Sequence, residues 1–323
     1  MSLLCLFFLL CVCNMTQAIS CKDESGATVD SWNIFKLPAG TSYFYYEKNG
    51  SLSSSPYSLN DTDHGALSHT MSQLWKGSVQ YILYNDENPF QSVYNFSVGH
   101  SKGVLLWDSA GGIMIQHSIP KFPYGPAITD TYCGIPSNAY TYGQHVTCFP
   151  MTLGDIKLFS YSLPLVIPNI YDSACSGAEC VGNMGSVIRG AYNNSAVCET
   201  YTMHNMYMLF QKTTQWNNDL WSGCVGPYYR NNLYVESWIH GNAIGPLCSP
   251  YNTLDIMSVD MGGVQYSEYN DHSKWALGES PLVCFGDINR MTTQYARGGG
   301  TFCWFDATLW SLLYQSIVSS NHC

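Results

Sequence analysis

An α/β layered protein of two halves is predicted for this chain of 323 residues, on three observations. Short runs rich in Tyr, Val and Ile, closed by turn residues, recur along its length. Helical patterns are fewer, and two of them are well marked. One tripeptide, His-Ser-Lys, occurs at 100–102 and again at 272–274, and this spacing of 172 residues places one copy in each half of an internal duplication.

The elements follow in chain order. Residues 3–12, LLCLFFLLCV, form an apolar run of ten, ahead of a polar stretch ending Ala18-Ile19-Ser20. That length fits the core of a signal peptide and falls short of the ~20 residues a bilayer span needs. No Lys or Arg precedes the run, which is atypical, and the small residues Ala18 and Ser20 place cleavage after Ser20. Residues 1–20 are therefore predicted to be a signal peptide, residues 21–160 the half with the first His-Ser-Lys, and residues 161–323 the half with the second. Strands are predicted at Tyr43–Tyr46, Val79–Tyr84, Val104–Trp107, Ile113–His117 and Leu233–Trp238, all aromatic or β-branched. Asp108-Ser-Ala-Gly-Gly112 between two of them reads as a hairpin turn. The run 51–56, SLSSSP, reads as an exposed loop. Helices are predicted at Ala66–Trp75 and at Ala307–Val318, the second opened by Asp306 as N-cap.

Composition narrows the function. The chain carries 13 Lys+Arg against 23 Asp+Glu, a formal charge of −10, and only 11% of its residues are charged. The 46% hydrophobic content is too high for disorder. A surplus of acid excludes histone-like and ribosomal proteins, which need Lys and Arg to release counterions from phosphates. The exclusion holds at neutral pH. Nine histidines, with reference pKa ~6.5, would carry charge near pH 5 and move the total from −10 towards about −1. Affinity for a polyanion is therefore expected to rise as pH falls.

Fourteen cysteines are present, eleven of them beyond residue 20. In an oxidising compartment most of these form disulfides, and the odd number leaves at least one unpaired within the chain. Cys175 and Cys180 share a C-x4-C spacing, a weak metal signal without a second pair, and disulfides are the favoured reading. Acceptor sequons at Asn49, Asn60, Asn95 and Asn193 join the signal peptide in pointing to a glycosylated protein of the secretory pathway.

The repeated tripeptide carries the chemistry. On a strand, His and Lys at i and i+2 face the same way. Two such pairs facing each other set two imidazoles and two ammoniums around one phosphate, so phosphodiester cleavage needs no metal or other cofactor. One His attacks phosphorus, the other protonates the leaving oxygen, and the lysines stabilise the developing charge.

Five stretches carry a family resemblance: CKDESGATVDSWNIFKLP (21–38), GHSKGVLLWDSAGGIMIQHSIPKFP (99–123), TYGQHVTC (141–148), FQKTTQWNNDLWSG (210–223) and DHSKW…CFGDINR…RGGGTFC (271–303). In this order they resemble the deoxyribonuclease II family, related in fold to phospholipase D. The resemblance implies a phospholipase D-like α/β fold, two pseudo-twofold-related sheet-and-helix halves with one active site between them. It implies a lysosomal or secreted acid endonuclease that cleaves DNA to 3′-phosphate ends without divalent metal and without inserting into a membrane. Carried over by motif, His100, Lys102, His272 and Lys274 form the centre of the site, His117 in QHSIP is a further active-site histidine, and Asn289 in GDIN follows the second pair. Which His attacks stays open. The resemblance also implies bridges Cys21–Cys148, Cys248–Cys323 and Cys284–Cys303, with Cys133, Cys175, Cys180, Cys198 and Cys224 unassigned.

There are departures. The strict phospholipase D pattern has Asp seven residues after each His, where Trp107 and Glu279 stand, although Asp108 adjoins the first. Tyr140 and Ala276 stand where some relatives have Cys. Around the centre, Lys212 in FQK, Arg290 and Arg297 are candidate substrate contacts; Gly298-Gly299-Gly300 after Arg297 could bring backbone amides to a phosphate. The competing reading of Lys212 is an ordinary surface lysine, and of Arg297 a tight turn beside a buried Arg–carboxylate pair. Trp221 and Trp275 are either base-stacking rings or core, with core favoured. His64, His69, His145, His204 and His240 show no ligand spacing. Two other readings remain: a secreted, non-catalytic relative that binds DNA or a host partner, and a lipid hydrolase.

Overall fold

The computed structural model describes residues 18–48, 50–77, 79–90, 96–204 and 207–323. The apolar run at 3–12 and the sequon residues Asn49 and Asn95 lie outside the described residues. Among those described, two large sheets dominate and helices are few and short. A two-residue ribbon, β1 (Cys21–Lys22) with β2 (Thr28–Val29), opens the fold. Then come β3 (Trp32–Lys36), β4 (Tyr43–Glu47), β5 (Ser53–Ser54), α1 (Ala66–Met71), β6 (Gln80–Asn85), β7 (Lys102–Asp108), β8 (Gly111–His117), β9 (Gln144–Met151), α2 (Leu153–Ser162) and β10 (Ile170–Ala174). Their strands form an eight-stranded sheet in the order β10-β6-β7-β8-β9-β3-β4-β5.

The rest of the chain supplies α3 (Met184–Ile188), β11 (Cys198–Thr202), β12 (Met208–Lys212), α4 (Gly226–Tyr229), β13 (Leu233–Ser237), β14 (Thr253–Met261), β15 (Val264–Ser267), β16 (Lys274–Gly278), β17 (Leu282–Gly286), β18 (Gly299–Phe305), α5 (Ala307–Ser316) and β19 (Ile317–Ser320). The second sheet runs β11-β12-β18-β17-β16-β13-β14-β15, with β19 on β14. Neighbours pair antiparallel except β13 and β14, which run parallel. Both sheets feed common cores. Ile82, Leu105 and Phe149 of the first pack with Leu209 and Phe302 of the second, and Phe35 and Tyr46 pack with Trp275, Phe285 and Leu309.

The five predicted strands and the hairpin are present. Trp107 pairs with Gly112 and Asp108 with Gly111, and the Asp108 carboxylate accepts the Ala110 amide at 2.7 Å, fixing the turn. Three details differ. Within 51–56, Ser53 and Ser54 pair with β4 as an exposed edge strand, because that edge is open to any extended chain. The last helix stops at Ser316, since Ile317–Ser320 pairs with β14. β10 belongs to the first sheet although it lies beyond residue 160.

The three implied bridges are present, and Cys175–Cys180 and Cys198–Cys224 complete the set. Cys133 is the free, exposed cysteine among the described residues. Trp221 and Trp275 are core. Asn193 is half-buried, whereas Nδ2 of Asn60, the atom a glycan would join, donates to the Tyr140 hydroxyl.

Candidate active site

Each Lys of the two tripeptides is the first residue of a strand, Lys102 of β7 and Lys274 of β16, so each His stands two residues ahead of its strand and not on it. Backbone from the opposite half anchors both. The His100 amide donates to the Gly298 carbonyl at 2.7 Å, and the His272 amide to the Gly143 carbonyl at 2.8 Å. Gly99 makes the first approach possible: a Cβ there would fall 1.8 Å from the Val166 carbonyl oxygen.

The rings repeat this exchange. His100 Nδ1 bonds the Asp287 carbonyl, and His272 Nδ1 bonds the Ser118 carbonyl at 2.8 Å, with Gln144 Oε1 at 3.2 Å. A carbonyl only accepts, so Nδ1 carries the proton in each ring and the neutral form keeps its lone pair on Nε2. Both rings line one cleft of about 400 Å³, together with Asn289, Arg297, Glu87 and Trp238.

Charge is concentrated behind the rings. Asp86 is fully buried; its carboxylate meets the Lys102 ammonium and lies 3.4 Å from Arg297 and 3.8 Å from His100 Nε2. Burial would raise its pKa, but Lys102, His100 and Arg297 together hold it far below the usual range. Lys274 donates to the His272 carbonyl, and its own amide donates to His145 Nδ1 at 3.1 Å. Burial first, then neighbouring lysines, pushes both His100 and His272 well below the ordinary histidine value. Burial raises the Asp287 carboxyl to about 7, and one of its oxygens accepts the Gly300 amide at 2.7 Å.

The expected residues divide in two. His100, His272, Asn289 and Arg297 line the cleft, with Lys102 and Lys274 directly behind. Asn289 lines the cleft, and its amide oxygen is buried without a partner among the described groups. His117, Lys212 and Arg290 do not line it. His117 is fully buried with its edge against Phe122; the Ile119 backbone lies close, but no well-formed hydrogen bond reaches either ring nitrogen, and burial pushes its pKa down to about 3. Its place is structural: it closes β8, and the next residue, Ser118, holds His272.

Lys212 is buried rather than at the surface, and its ammonium donates to the carbonyls of Gln294, Tyr295 and Arg297 at 2.6–2.9 Å. Arg290 is buried against Asp255 and Asp219. Both cations are therefore held by protein and brace the loop that carries Arg297. The glycine run is also engaged, for Gly299 and Gly300 pair with Lys212 and Gln211 in the sheet.

Sequence reasoning missed Asp86, Asp287, Ser118 and Gln144. Asp287 and Gln144 lie inside CFGDINR and TYGQHVTC, and Ser118 follows His117, so proximity to those motifs was the available signal. Nothing marks Asp86. Among the described residues no group of three or more His, Cys, Asp or Glu is arranged to hold a metal ion.

The family model described as Deoxyribonuclease II matches residues 20–323. Similar proteins include the Deoxyribonuclease-2 of Caenorhabditis elegans, 31% identical over 98% of this chain and 97% of its own, and the Deoxyribonuclease-2-alpha of Rattus norvegicus, 32% identical over 95% of each. Plancitoxin-1 of Acanthaster planci is 28% identical over 95% of this chain and 93% of its own. With the match running from residue 20 to the last residue and with relatives above 30% identity over nearly all of both chains, the chain belongs to the deoxyribonuclease II family.

Proposed function

We propose that this protein is an acid endodeoxyribonuclease that hydrolyses DNA phosphodiester bonds to 3′-phosphate ends through a histidine nucleophile and a histidine general acid, without a metal. The observation that carries the reading is the pair of imidazoles on one cleft, each with Nδ1 tied to a carbonyl of the other half. The halves, 21–160 and 161–323, are read as pseudo-twofold partners on a phospholipase D-like plan.

In the first step Nε2 of one ring attacks phosphorus. The P–O5′ bond breaks, and the leaving 5′ oxygen takes the proton from Nε2 of the other ring. This gives a strand with a free 5′-hydroxyl and a phosphohistidine still joined to O3′ of the upstream strand. The second ring, now neutral, removes a proton from water; the hydroxide oxygen attacks phosphorus, and the P–N bond breaks to leave a 3′-phosphate. Lys102, Lys274, Arg297 and the Asn289 amide stabilise the equatorial oxygens. Asp86 breaks the tie between the rings. Its carboxylate, 3.8 Å from His100 Nε2, offsets part of what Lys102 and Arg297 take from the protonated form there, and no carboxylate among the described residues does so at His272, so His100 is assigned as the acid and His272 as the nucleophile.

The acid optimum follows from burial. One ring must be protonated and one neutral, and both titrate below the ordinary value, so the productive combination is populated below neutrality. A lysosomal or secreted location, with the signal peptide removed and Asn49, Asn60, Asn95 and Asn193 as candidate glycan acceptors, fits five disulfides. Plasmid nicking near pH 5 with chelator present tests the reading. Nicking is expected, and His100→Ala or His272→Ala should abolish it; tight DNA binding without turnover at any pH would return the protein to a binding role.

A further inference from the structure

A run of aromatic rings leads out of the cleft from His272. Trp238 meets that imidazole edge-on, with centroids 4.8 Å apart. His240 lies against Trp238 at 4.0 Å, and Tyr269 stacks on His240 at 3.7 Å and 17°. Tyr142, from the other half, braces Trp238 and His240 edge-on at 5.5 and 5.7 Å. Trp238 and His240 line the cleft beside the two histidines, and Tyr269, the outermost ring, is 57% exposed.

Core aromatics are enclosed, as Trp221 and Trp275 are. These rings instead stack as a column that begins at the His272 imidazole: His240 is covered by Trp238 on one face and Tyr269 on the other, and the face left to solvent is the outer one of Tyr269. The polar tips fix the line: His240 Nε2 bonds the Tyr269 carbonyl at 2.8 Å. Trp238 Nε1 is buried without a partner among the described groups. A phosphate between His100 and His272 brings its flanking nucleotide alongside this surface, and every base has a π-face that such rings accept regardless of sequence.

We propose that Tyr269, backed by His240 and Trp238, offers its outer face as a stacking platform for one base flanking the scissile phosphate, turned out of the DNA stack. This inference rests on the assignment of the cleft as the phosphodiester site. The platform orients the strand, and the histidines perform the chemistry.

The test uses the full protein and single-stranded oligonucleotides with one cleavable phosphodiester, the other linkages being methylphosphonates. Beside that bond stands a normal base or an abasic residue, placed on either side in turn. The deciding number is kcat/KM on the normal strand divided by kcat/KM on the abasic strand. In Tyr269→Ala the ratio falls roughly five- to a hundredfold for one placement, the range expected for one lost base–aromatic stack; Tyr269→Phe, which keeps the ring, restores it. An unchanged ratio for both placements, whether the rates fall together or not at all, overturns the platform.

A second arm reads binding without turnover, through the fluorescence of 2-aminopurine at the flanking position. Wild type should quench it and Tyr269→Ala should not; equal quenching by the two overturns the platform. If the wild type cleaves no strand, the nuclease reading fails, and the fluorescence arm alone decides whether the platform stands.

Discussion

The orientation of each imidazole depends on a carbonyl that its own half does not supply. Asp287 fixes the proton of His100, and Ser118 that of His272. Neither ring therefore has its Nε2 lone pair defined until the two sheets meet, which ties the orientation of both imidazoles to the assembled fold. The two differ through Asp86, close to His100 alone, and that difference predicts distinct defects. With thymidine 3′-(p-nitrophenyl phosphate) the leaving phenolate needs no proton, so an acid is dispensable and a nucleophile is not. His100→Ala should recover the first step on this substrate, read as a burst of p-nitrophenolate followed by slow turnover because the base that activates water is also gone, whereas His272→Ala should stay inactive on both. Recovery by His272→Ala with none by His100→Ala would exchange the roles. The two tripeptides were legible because an identical triplet of scarce residues stands out in any sequence. Asp86 was not: it sits in an unremarkable Asn-Asp-Glu-Asn stretch, and its significance arises only when the chain returns Arg297 from 211 positions away. Lys212 and Arg290 misled for the complementary reason, since composition marks a cation but not whether carbonyls or carboxylates of the protein already hold it.

Elements were legible where both periodicity and a boundary signal were present. The β7–β8 hairpin and α5 have both, and they form as the residues dictate. Half-buried edge strands have neither: β10 and β11 alternate weakly, and Ile317-Val-Ser-Ser320 continues a helical pattern until β14 offers it a partner. The pairing of β13 with β14 joins Val235 to Asp255 across a long loop, and no local feature announces it. The cap of α5 does more than start a helix. Asp306 accepts the Leu309 amide at 2.9 Å, and both its oxygens accept from the Tyr46 hydroxyl on β4 at 3.1 Å, so the cap also ties the helix to the other sheet. Asp306→Ala removes a cap and a partly buried charge-assisted bond, a loss of about 2–4 kcal/mol. Asp306→Asn keeps the capping oxygen and should lose less. Thermal melts compare them, and equal losses would show that the cap contributes nothing.

At the scale of the molecule the charge of −10 governs how the protein meets a polyanion. Treating all nine histidines as titrating near pH 5 overstates the change. His100, His117, His145 and His272 are buried and pushed below their ordinary value, so they take up protons less readily than free histidines and the total stays more negative than −1. Burial supplies part of the remainder from the other sign. Asp287 is raised to about 7 by burial, so it sheds negative charge on the way to pH 5. A bound phosphodiester adds a third contribution: an anion beside His100 and His272 raises their pKa values, so binding takes up protons and strengthens as pH falls. The sign is the same for all three. DNA affinity should rise steadily from pH 7.5 to pH 5, and at fixed pH it should weaken as salt rises, because phosphate contacts exchange with counterions. Fluorescence anisotropy with labelled DNA and the inactive His272→Ala protein reads both trends without cleavage. That variant lacks one of the two site imidazoles, so its pH dependence should be shallower than the wild type's, measured against a strand whose 5′ leaving oxygen is replaced by CH2, which keeps the charge and cannot be cleaved there. Affinity that is flat across this range would mean that neither the cleft nor the surface charge couples protons to DNA.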